Sequence, residues 1–194
     1  MESNLALQAL LKTSKKKNFD LLREYLQKSK PIEINLSSLS LVEYLSSVVV
    51  SQQLSTKAAK TIWSRAHPII KTHKNYQNLE AELCSAGLSR SKADYVIGLI
   101  DNPYLFSLKR SDLMKLPKIE FENLLISNKG IGPWSVNMAR MFYLGDADVM
   151  PINDLGIQHA HEYLFKNFEM TDKFYEIFSP WRTYLSLFMW KSLS

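Results

Sequence analysis

The chain has 194 residues and 46% hydrophobic content, which excludes an intrinsically disordered protein, and its formal net charge of +5 is compatible with a polyanionic partner. A single cysteine, Cys84, excludes an internal disulfide and an iron–sulfur cluster held by four cysteines. No apolar run reaches the roughly 18 residues that span a bilayer and no secretion signal opens the chain, so we expect an intracellular protein without membrane segments.

Apolar residues recur at intervals of three and four along the chain, which predicts an all-α protein. The first half opens with a helix or helix pair at 5–11 and 19–26, and a stretch at 31–39 reads as a linker. The segment 41–50 predicts a buried helix, because it is longer than a typical strand and another helix follows directly. The next predicted elements are a helix that carries Ala58, Ala59, Ile62 and Trp63, a helix at 80–86 ending at Gly87, a helix at 91–100 ending before Asn102, and a short turn capped by Ser111.

Two glycines then interrupt the helical pattern at 130 and 132. Glycine allows a tight turn and a close approach to a ligand, and Pro133 suits the first turn of a helix. Amides at such a turn bind phosphate well, because the positive end of the helix dipole reinforces them. The segment therefore predicts a helix-hairpin-helix at 120–144, with apolar positions at Phe121, Leu124, Leu125, Trp134, Met138, Met141 and Phe142 and a stop at Gly145.

A carboxylate follows the hairpin in the segment Met150-Pro151-Ile152-Asn153-Asp154. Asp154 has two interpretations that are compatible: a helix N-cap and a catalytic carboxylate. Asn153 beside it can form the turn that precedes the cap. Helices at 162–166 and 173–191 are predicted to complete the chain.

These residues resemble the helix-hairpin-helix DNA glycosylases, and in particular the 3-methyladenine DNA glycosylase II branch. The hairpin of that branch typically reads Lys-Gly-Ile-Gly-Pro-Trp, which 129–134 match residue for residue, and its catalytic aspartate lies in a Pro-x-x-Asp-Leu-Gly-Ile block, which 151–157 match. Three further blocks look similar and come in the same order: Ser51-Gln52-Gln53-Leu54-Ser55, Gly87-Leu88-Ser89-Arg90 with Lys92, and Pro180-Trp181-Arg182 with Trp190.

The resemblance implies a single all-α glycosylase domain with two lobes and the active-site cleft between them. One lobe would comprise about 1–40 and the C-terminal helices, and the other about 41–150 with the hairpin. The first 40 residues leave no room for the N-terminal β-rich domain of larger relatives, so we expect the compact form.

The implied activity is hydrolysis of the N-glycosidic bond of alkylated purines, of the 3-methyladenine and 7-methylguanine type, in duplex DNA by base flipping. Asp154 would be catalytic, and Trp134 occupies the position of the Schiff-base lysine of strand-cutting relatives, so the expected enzyme is monofunctional and leaves an abasic site. The expected base pocket comprises Trp134, Trp190, Met138 and Leu155, the last two where relatives often carry tyrosines. The expected DNA contacts are Gly130, Ile131, Gly132, Gln53, Leu54, Ser55 and Asn153, with Gln53, or less readily Leu54, filling the emptied stack.

The expected partner is double-stranded DNA with alkylated bases, the protein acting as a DNA-associated monomer. No cofactor is required, although a structural monovalent cation at the hairpin stays open. The four histidines His67, His73, His159 and His161 form no persuasive metal-ligand set. Two alternatives remain: a non-catalytic DNA-binding or lesion-binding protein, since hairpin amides and a basic surface bind DNA without chemistry, and the same fold acting on deaminated purines.

Overall fold

The computed structural model describes residues 1–72 and 78–193. All regular secondary structure within these residues is helical, so the all-α prediction is confirmed. A π-helical turn (Arg140–Leu144) and a 3₁₀ turn (Glu176–Phe178) accompany the α-helices. The α-helices of the described residues are α1 (Glu2–Lys16), α2 (Asp20–Gln27), α3 (Leu41–Ser51), α4 (Thr56–Thr72), α5 (Leu79–Ser85), α6 (Arg90–Ile100), α7 (Pro103–Ser107), α8 (Arg110–Leu113), α9 (Lys118–Ile126), α10 (Pro133–Ala139), α11 (Leu155–Leu164), α12 (Asp172–Tyr175) and α13 (Arg182–Lys191).

The first of two units comprises residues 1–36 and 140–194. In it α1 packs against α2 and α13, and α11 packs against α2 and α13. Phe19 lies edge-on against Phe165 and Phe168, with ring centroids 5.3 and 4.8 Å away. Met150 and Ile157 belong to the same apolar core, so the segment between them, which holds Asp154, is anchored at both ends.

The second unit comprises residues 37–139 and is built around α3, which is buried along most of its length and packs against α4, α6, α7 and α10. This burial explains why residues 41–50 are largely apolar, and the buried helix predicted there is confirmed. The Tyr44 hydroxyl donates to the carbonyl of Met138 at 2.7 Å, which ties the middle of α3 to α10, the second helix of the hairpin.

A capping box begins α3. The Ser40 hydroxyl accepts from the amide of Glu43, and the Glu43 carboxylate accepts from the amide of Ser40 at 3.0 Å and contacts His67 Nε2 at 2.8 Å. Burial by itself would raise the pKa of Glu43, but the hydrogen bonds from Ser40 and His67 outweigh it and lower the pKa to about 2. The start of α3 therefore depends on an ionised Glu43.

Two predicted helices near the C-terminus have the wrong bounds. The expected helix at 173–191 is interrupted, and α13 begins only at Arg182, because Pro180 lacks the amide that a continuous helix needs. The expected helix at 162–166 instead begins at Leu155, since the Asp154 side chain caps it at that point, and ends at Leu164.

Two turns also differ from the prediction. Ser111 lies inside α8, whose N-cap residue is Lys109, so the predicted Ser111 cap is wrong. Asn102-Pro103 starts a short helix, α7, as well as ending the one before it. The Asn102 side chain accepts from the amides of Tyr104 (3.1 Å) and Leu105 (3.4 Å), and Pro103 takes the first helical position, where no amide is missed.

The chain passes from one unit to the other after Leu36 and after Ala139, whereas the sequence analysis placed the lobe boundaries near 40 and 150. The first crossing lies within the irregular stretch at 31–39 that the sequence marked as a linker. None of the helices in the described ranges combines the length and the apolar character needed to cross a membrane.

Candidate active site

The predicted hairpin consists of α9, a turn at 127–132 and α10. The side chain of Asn128 closes the end of α9 by donating to the carbonyls of Leu124 (2.9 Å) and Leu125 (3.3 Å), and it accepts from Asn102 at 3.1 Å. The amide of Ile131 then donates to the Asn128 carbonyl at 3.0 Å, which turns the chain back. Backbone and side-chain bonds together hold the turn in one conformation.

The two hairpin glycines have different roles. Gly130 has φ +86°, and a Cβ there would lie 2.4 Å from two ring carbons of Tyr95, so both the backbone and the packing require glycine. At Gly132 a Cβ would meet none of the described residues within 4 Å, so this side of the turn faces open space. Gly130 thus shapes the turn, and Gly132 leaves room for a ligand to approach the backbone.

A second exposed loop connects α3 to α4 in the same unit. Gln53 has φ +56° and is exposed, and Leu54 is 40% exposed. Ser55 caps α4, because its hydroxyl accepts from the amide of Ala58 at 3.3 Å. The side chains expected to fill an emptied base stack therefore project into solvent, whereas Ser55 has a structural partner within the chain.

The candidate catalytic carboxylate lies in the other unit. Asp154 is the N-cap of α11, and its Oδ1 accepts from the amide of Ile157 at 3.0 Å. The same oxygen accepts from the indole Nε1 of Trp190 at 2.8 Å. Two N–H donors that converge on one oxygen fix the orientation of the carboxylate plane, so the group is pre-organised for electrostatic work.

The chain around Asp154 is held by an ion pair that the sequence analysis did not identify. The guanidinium of Arg182 donates to both carboxylate oxygens of Asp148 at 2.6 and 2.7 Å, and the Ser179 hydroxyl donates at 2.8 Å. Burial raises the pKa of Asp148, but these bonds and the Arg182 charge more than offset it, and the pKa lies below its ordinary value. Arg182 was noted only as part of a block that resembles the family.

Trp190 and Gly156 form a close contact beside Asp154. A Cβ at Gly156 would lie 2.8 Å from Trp190 Cδ1 and 3.1 Å from Asp154 Oδ1, so a larger residue would displace the indole from the carboxylate. Phe142 lies on the same indole with a centroid distance of 6.2 Å and an interplanar angle of 31°. Gly156 therefore leaves room for the Trp190 indole to reach Asp154. The sequence block around Asp154 includes this glycine but does not show why a glycine is needed.

The remaining expected site residues differ in exposure. Trp134 is partly buried in the first turn of α10, whereas Met138 in the same helix is buried, with 7% exposure. Leu155 is 69% exposed at the start of α11, and Asn153 is exposed just before it. Met138 and Leu155 thus differ sharply as candidate contacts for a base, and only Leu155 presents a large accessible surface.

Two of the three described histidines, His67 and His161, have partners within the fold. His161 is buried, with Nδ1 2.7 Å from the Tyr175 hydroxyl and Nε2 2.8 Å from the Phe168 carbonyl. His67 pairs with Glu43, and His159 is exposed. His73 lies outside the described residues. Within those residues, no three histidine, cysteine, aspartate or glutamate side chains come together as a metal site would require.

Comparison with known proteins gives consistent matches. The chain is 31% identical over 162 residues to DNA-3-methyladenine glycosylase 1 of Schizosaccharomyces pombe, which covers 77% of this chain and 71% of the relative. It is 30% identical over 117 residues to the DNA-3-methyladenine glycosylase of Bacillus subtilis, over 58% of this chain and 39% of that protein. No protein-family model matches the chain.

Solved structures with the same fold include two glycosylases of this kind. The 3-methyladenine DNA glycosylase of S. pombe in complex with abasic DNA matches with a TM-score of 0.78 and 24% identity, over 96% of this chain and 95% of that one. The DNA-3-methyladenine glycosidase of Bacillus halodurans matches with a TM-score of 0.71 and 25% identity, over 93% of this chain and 86% of that one.

Proposed function

Because the chain belongs to the helix-hairpin-helix family of 3-methyladenine DNA glycosylases, a repair family that removes alkylated bases, we propose that it hydrolyses alkylated purines from duplex DNA with Asp154 as the catalytic carboxylate. The observation that carries the proposal is the carboxylate itself: Asp154 Oδ1 is held by a backbone amide and by the Trp190 indole. Binding of DNA alone gives no reason for a negative charge oriented in this way.

The chemistry needs no metal or redox partner. Alkylation at N3 or N7 makes the purine cationic, so that when the bond from C1′ to the base breaks, the base leaves as a neutral molecule and the sugar becomes oxocarbenium-like. The Asp154 carboxylate stabilises that positive charge. It also orients a water and accepts its proton as the water oxygen bonds to C1′, which leaves an abasic sugar.

The reaction should stop at the abasic site. Strand cleavage by Schiff-base chemistry requires an amine nucleophile, and the residue after Pro133 is Trp134 rather than a lysine. A monofunctional hydrolase is therefore proposed, with the DNA strand intact after the base has been released.

Trp190 would also favour cationic bases over neutral ones through the face of its indole ring. Its indole N–H is engaged by Asp154, but its ring face is an electron-rich surface on which a cationic purine gains about 0.5–2 kcal/mol that a neutral base lacks. Trp134, Leu155 and Met138 are the further pocket residues proposed, of which Leu155 is exposed and Met138 is buried.

DNA would be bound by the hairpin backbone at Gly130 and Gly132 and by the loop that carries Gln53. Ile131, also expected as a contact, has its amide engaged by the Asn128 carbonyl, so it would shape the turn between the two glycines. Open space at Gly132 and the exposed Gln53 support this assignment. Both contacts are independent of base identity, which suits an enzyme that searches double-stranded DNA for a rare lesion. We propose a monomer that works inside the cell on its DNA, with Asn153 as a further backbone contact.

The test is the release of free base from methylated duplex DNA by the purified protein, followed by alkali. The expected result is release of 3-methyladenine or 7-methylguanine with intact strands that break only after alkali. Strand breaks before alkali would contradict the monofunctional mechanism, and tight DNA binding with no release would support the non-catalytic alternative. A hypoxanthine-containing duplex in parallel distinguishes alkylated from deaminated purines as the substrate.

A further inference from the structure

The loop between α3 and α4 adopts a conformation that needs external support. Gln53 has φ +56°, which lies in the left-handed region that non-glycine residues adopt uncommonly. Such a conformation persists only when the surrounding structure holds it, and it is frequent at active sites and at ligand-binding segments. The neighbours of Gln53 therefore show what holds it.

The first support of the Gln53 conformation acts on the backbone carbonyls at the C-terminal end of α3. The last four carbonyls of a helix have no partner within it. Here three of them accept from donors within residues 51–54, and the fourth, of Val50, accepts from the ammonium of Lys92 at 2.8 Å. The same ammonium donates to the carbonyl of Gln52 at 2.7 Å. Lys92, which lies on α6, thus clamps the backbone immediately before Gln53.

The Gln52 side chain is the second support. Its Nε2 donates to the carbonyl of Gly130 at 2.9 Å and contacts the Ser135 hydroxyl at 3.1 Å. The Gln52 side chain therefore bonds to Gly130, the residue that shapes the hairpin turn, while the Gln52 backbone carbonyl is bonded by Lys92. The loop and the hairpin are joined within one unit by bonds that use no exposed atom of Gln53.

Lys92 differs from the other lysines that the structure describes, which are exposed. It is partly buried, and burial lowers its pKa from the ordinary lysine value. In the part of the chain that the structure describes, its ammonium forms no salt bridge within 4.0 Å of a carboxylate, and its two hydrogen bonds go to backbone carbonyls. Partial removal of the ammonium from water costs free energy, and the hydrogen bonds that offset this cost fix the backbone at Val50 and Gln52.

We propose that Lys92 and Gln52 are positioning residues that hold Gln53 ready to enter the DNA stack when the damaged base leaves it. This inference rests on the proposed function and assigns these two residues a role in base flipping rather than in DNA affinity or in bond cleavage. A loop that has lost the clamp must be ordered at each flipping event, so the rate of flipping falls in proportion to the fraction of loops that remain in the competent conformation.

The experiment compares Lys92→Met with Lys71→Met, a matched loss of one charge from an exposed lysine of the same unit. Flipping is followed by the fluorescence of 2-aminopurine beside the lesion, and excision by single-turnover base release. Lys92→Met should lower both by about tenfold, with affinity for undamaged duplex equal to that of Lys71→Met. Lys92→Arg should restore much of the loss, because a guanidinium also reaches two carbonyls.

A purely structural role would behave differently. If the loop fills an emptied stack, the defect of Lys92→Met should shrink when the same lesion lies in an unpaired bubble, where no stack needs filling. An equal defect on paired and unpaired lesions, or no defect on either, would overturn the proposal. Gln52→Ala tests the same loop if Lys92→Met does not fold, and the same dependence on pairing is expected.

Amide hydrogen exchange of the free protein separates this inference from the proposed function. Exchange at residues 51–55 should be faster in Lys92→Met than in the wild type, with the rest of the unit unchanged, whether or not the enzyme releases a base. Unchanged exchange at 51–55 would refute the clamp. Failure of the wild type to release any alkylated base would instead refute the proposed function and leave the exchange result to decide on the clamp.

Discussion

Replacement of Asp154 by asparagine removes the negative charge at the proposed reaction centre while retaining its shape. The amide oxygen of asparagine can accept from the Ile157 amide and the Trp190 indole as Oδ1 does at 3.0 and 2.8 Å. Asparagine is as good an N-cap as aspartate, so α11 should still begin at Leu155. The change in folding stability should stay within about 1 kcal/mol, the value of a charge at a helix N-terminus.

The loss in rate should be much larger. In the proposed mechanism the carboxylate stabilises a sugar that becomes positively charged only in the transition state, so its charge should contribute to the rate and little to the affinity for DNA. By analogy with loss of one pre-organised electrostatic group, we expect base release to fall by about 10²–10³-fold, or about 2.7–4 kcal/mol of transition-state stabilisation. Affinity for lesion-containing DNA should be retained or improved, because one negative charge near the phosphates has been removed.

The assay is single-turnover release of 7-methylguanine at fixed salt, with dissociation constants measured on the same duplex. Asp154→Ala is the control for the cap, since it removes the hydrogen bond to Ile157 as well and should cost about 0.5–2 kcal/mol of stability. The catalytic reasoning is wrong if Asp154→Asn excises at the wild-type rate, or if its binding and rate fall by the same factor.

Four further expectations concern the two hairpin glycines, Trp190 and Glu43. Gly132→Asp should weaken binding to damaged and undamaged DNA alike at fixed salt. The control Gly98→Asp adds the same charge to an exposed position of α6 and should leave binding unchanged. Equal DNA affinities of the two variants would contradict a hairpin contact with phosphate. Gly130→Ala should destabilise the protein by more than the roughly 1–2 kcal/mol of a left-handed alanine, because its Cβ meets the Tyr95 ring, and thermal unfolding compared with Gly132→Ala measures this. Trp190→Phe keeps a ring but removes the N–H bond to Asp154, so excision of cationic and neutral bases should drop together; a drop confined to cationic bases would show that stacking matters more than the bond. The free energy of unfolding should fall by about 1 kcal/mol as the pH drops from about 4.5 towards the folded-state pKa of Glu43 at about 2, since that carboxylate stabilises the fold when ionised and solvent screens its interactions, and Glu43→Gln should flatten this part of the acid titration.

Much of the fold was predictable because its signals are local. Apolar spacing predicted α3 and α6 to within one residue at each end, and glycine and proline at 130–133 predicted the hairpin. Capping residues were less informative. Ser111 has the residue type of a cap but lies inside α8, and Asn102-Pro103 predicts the end of α6 without indicating that α7 begins there. Helix ends depend on single side-chain bonds, which periodicity does not register.

The sequence by itself determined the residue types of the site, because a carboxylate after a proline turn and a glycine hairpin are patterns within a few neighbouring residues. Only the tertiary structure decided how they are held. The Trp190 indole reaches Asp154 across 36 residues of chain, and the Lys92 ammonium reaches Gln52 across 40. Helical periodicity reports which face of a helix is buried, and it carries no information about which distant polar group that face will meet. Such pairs form because folding must satisfy each partly buried donor and acceptor with whatever partner the packing brings near.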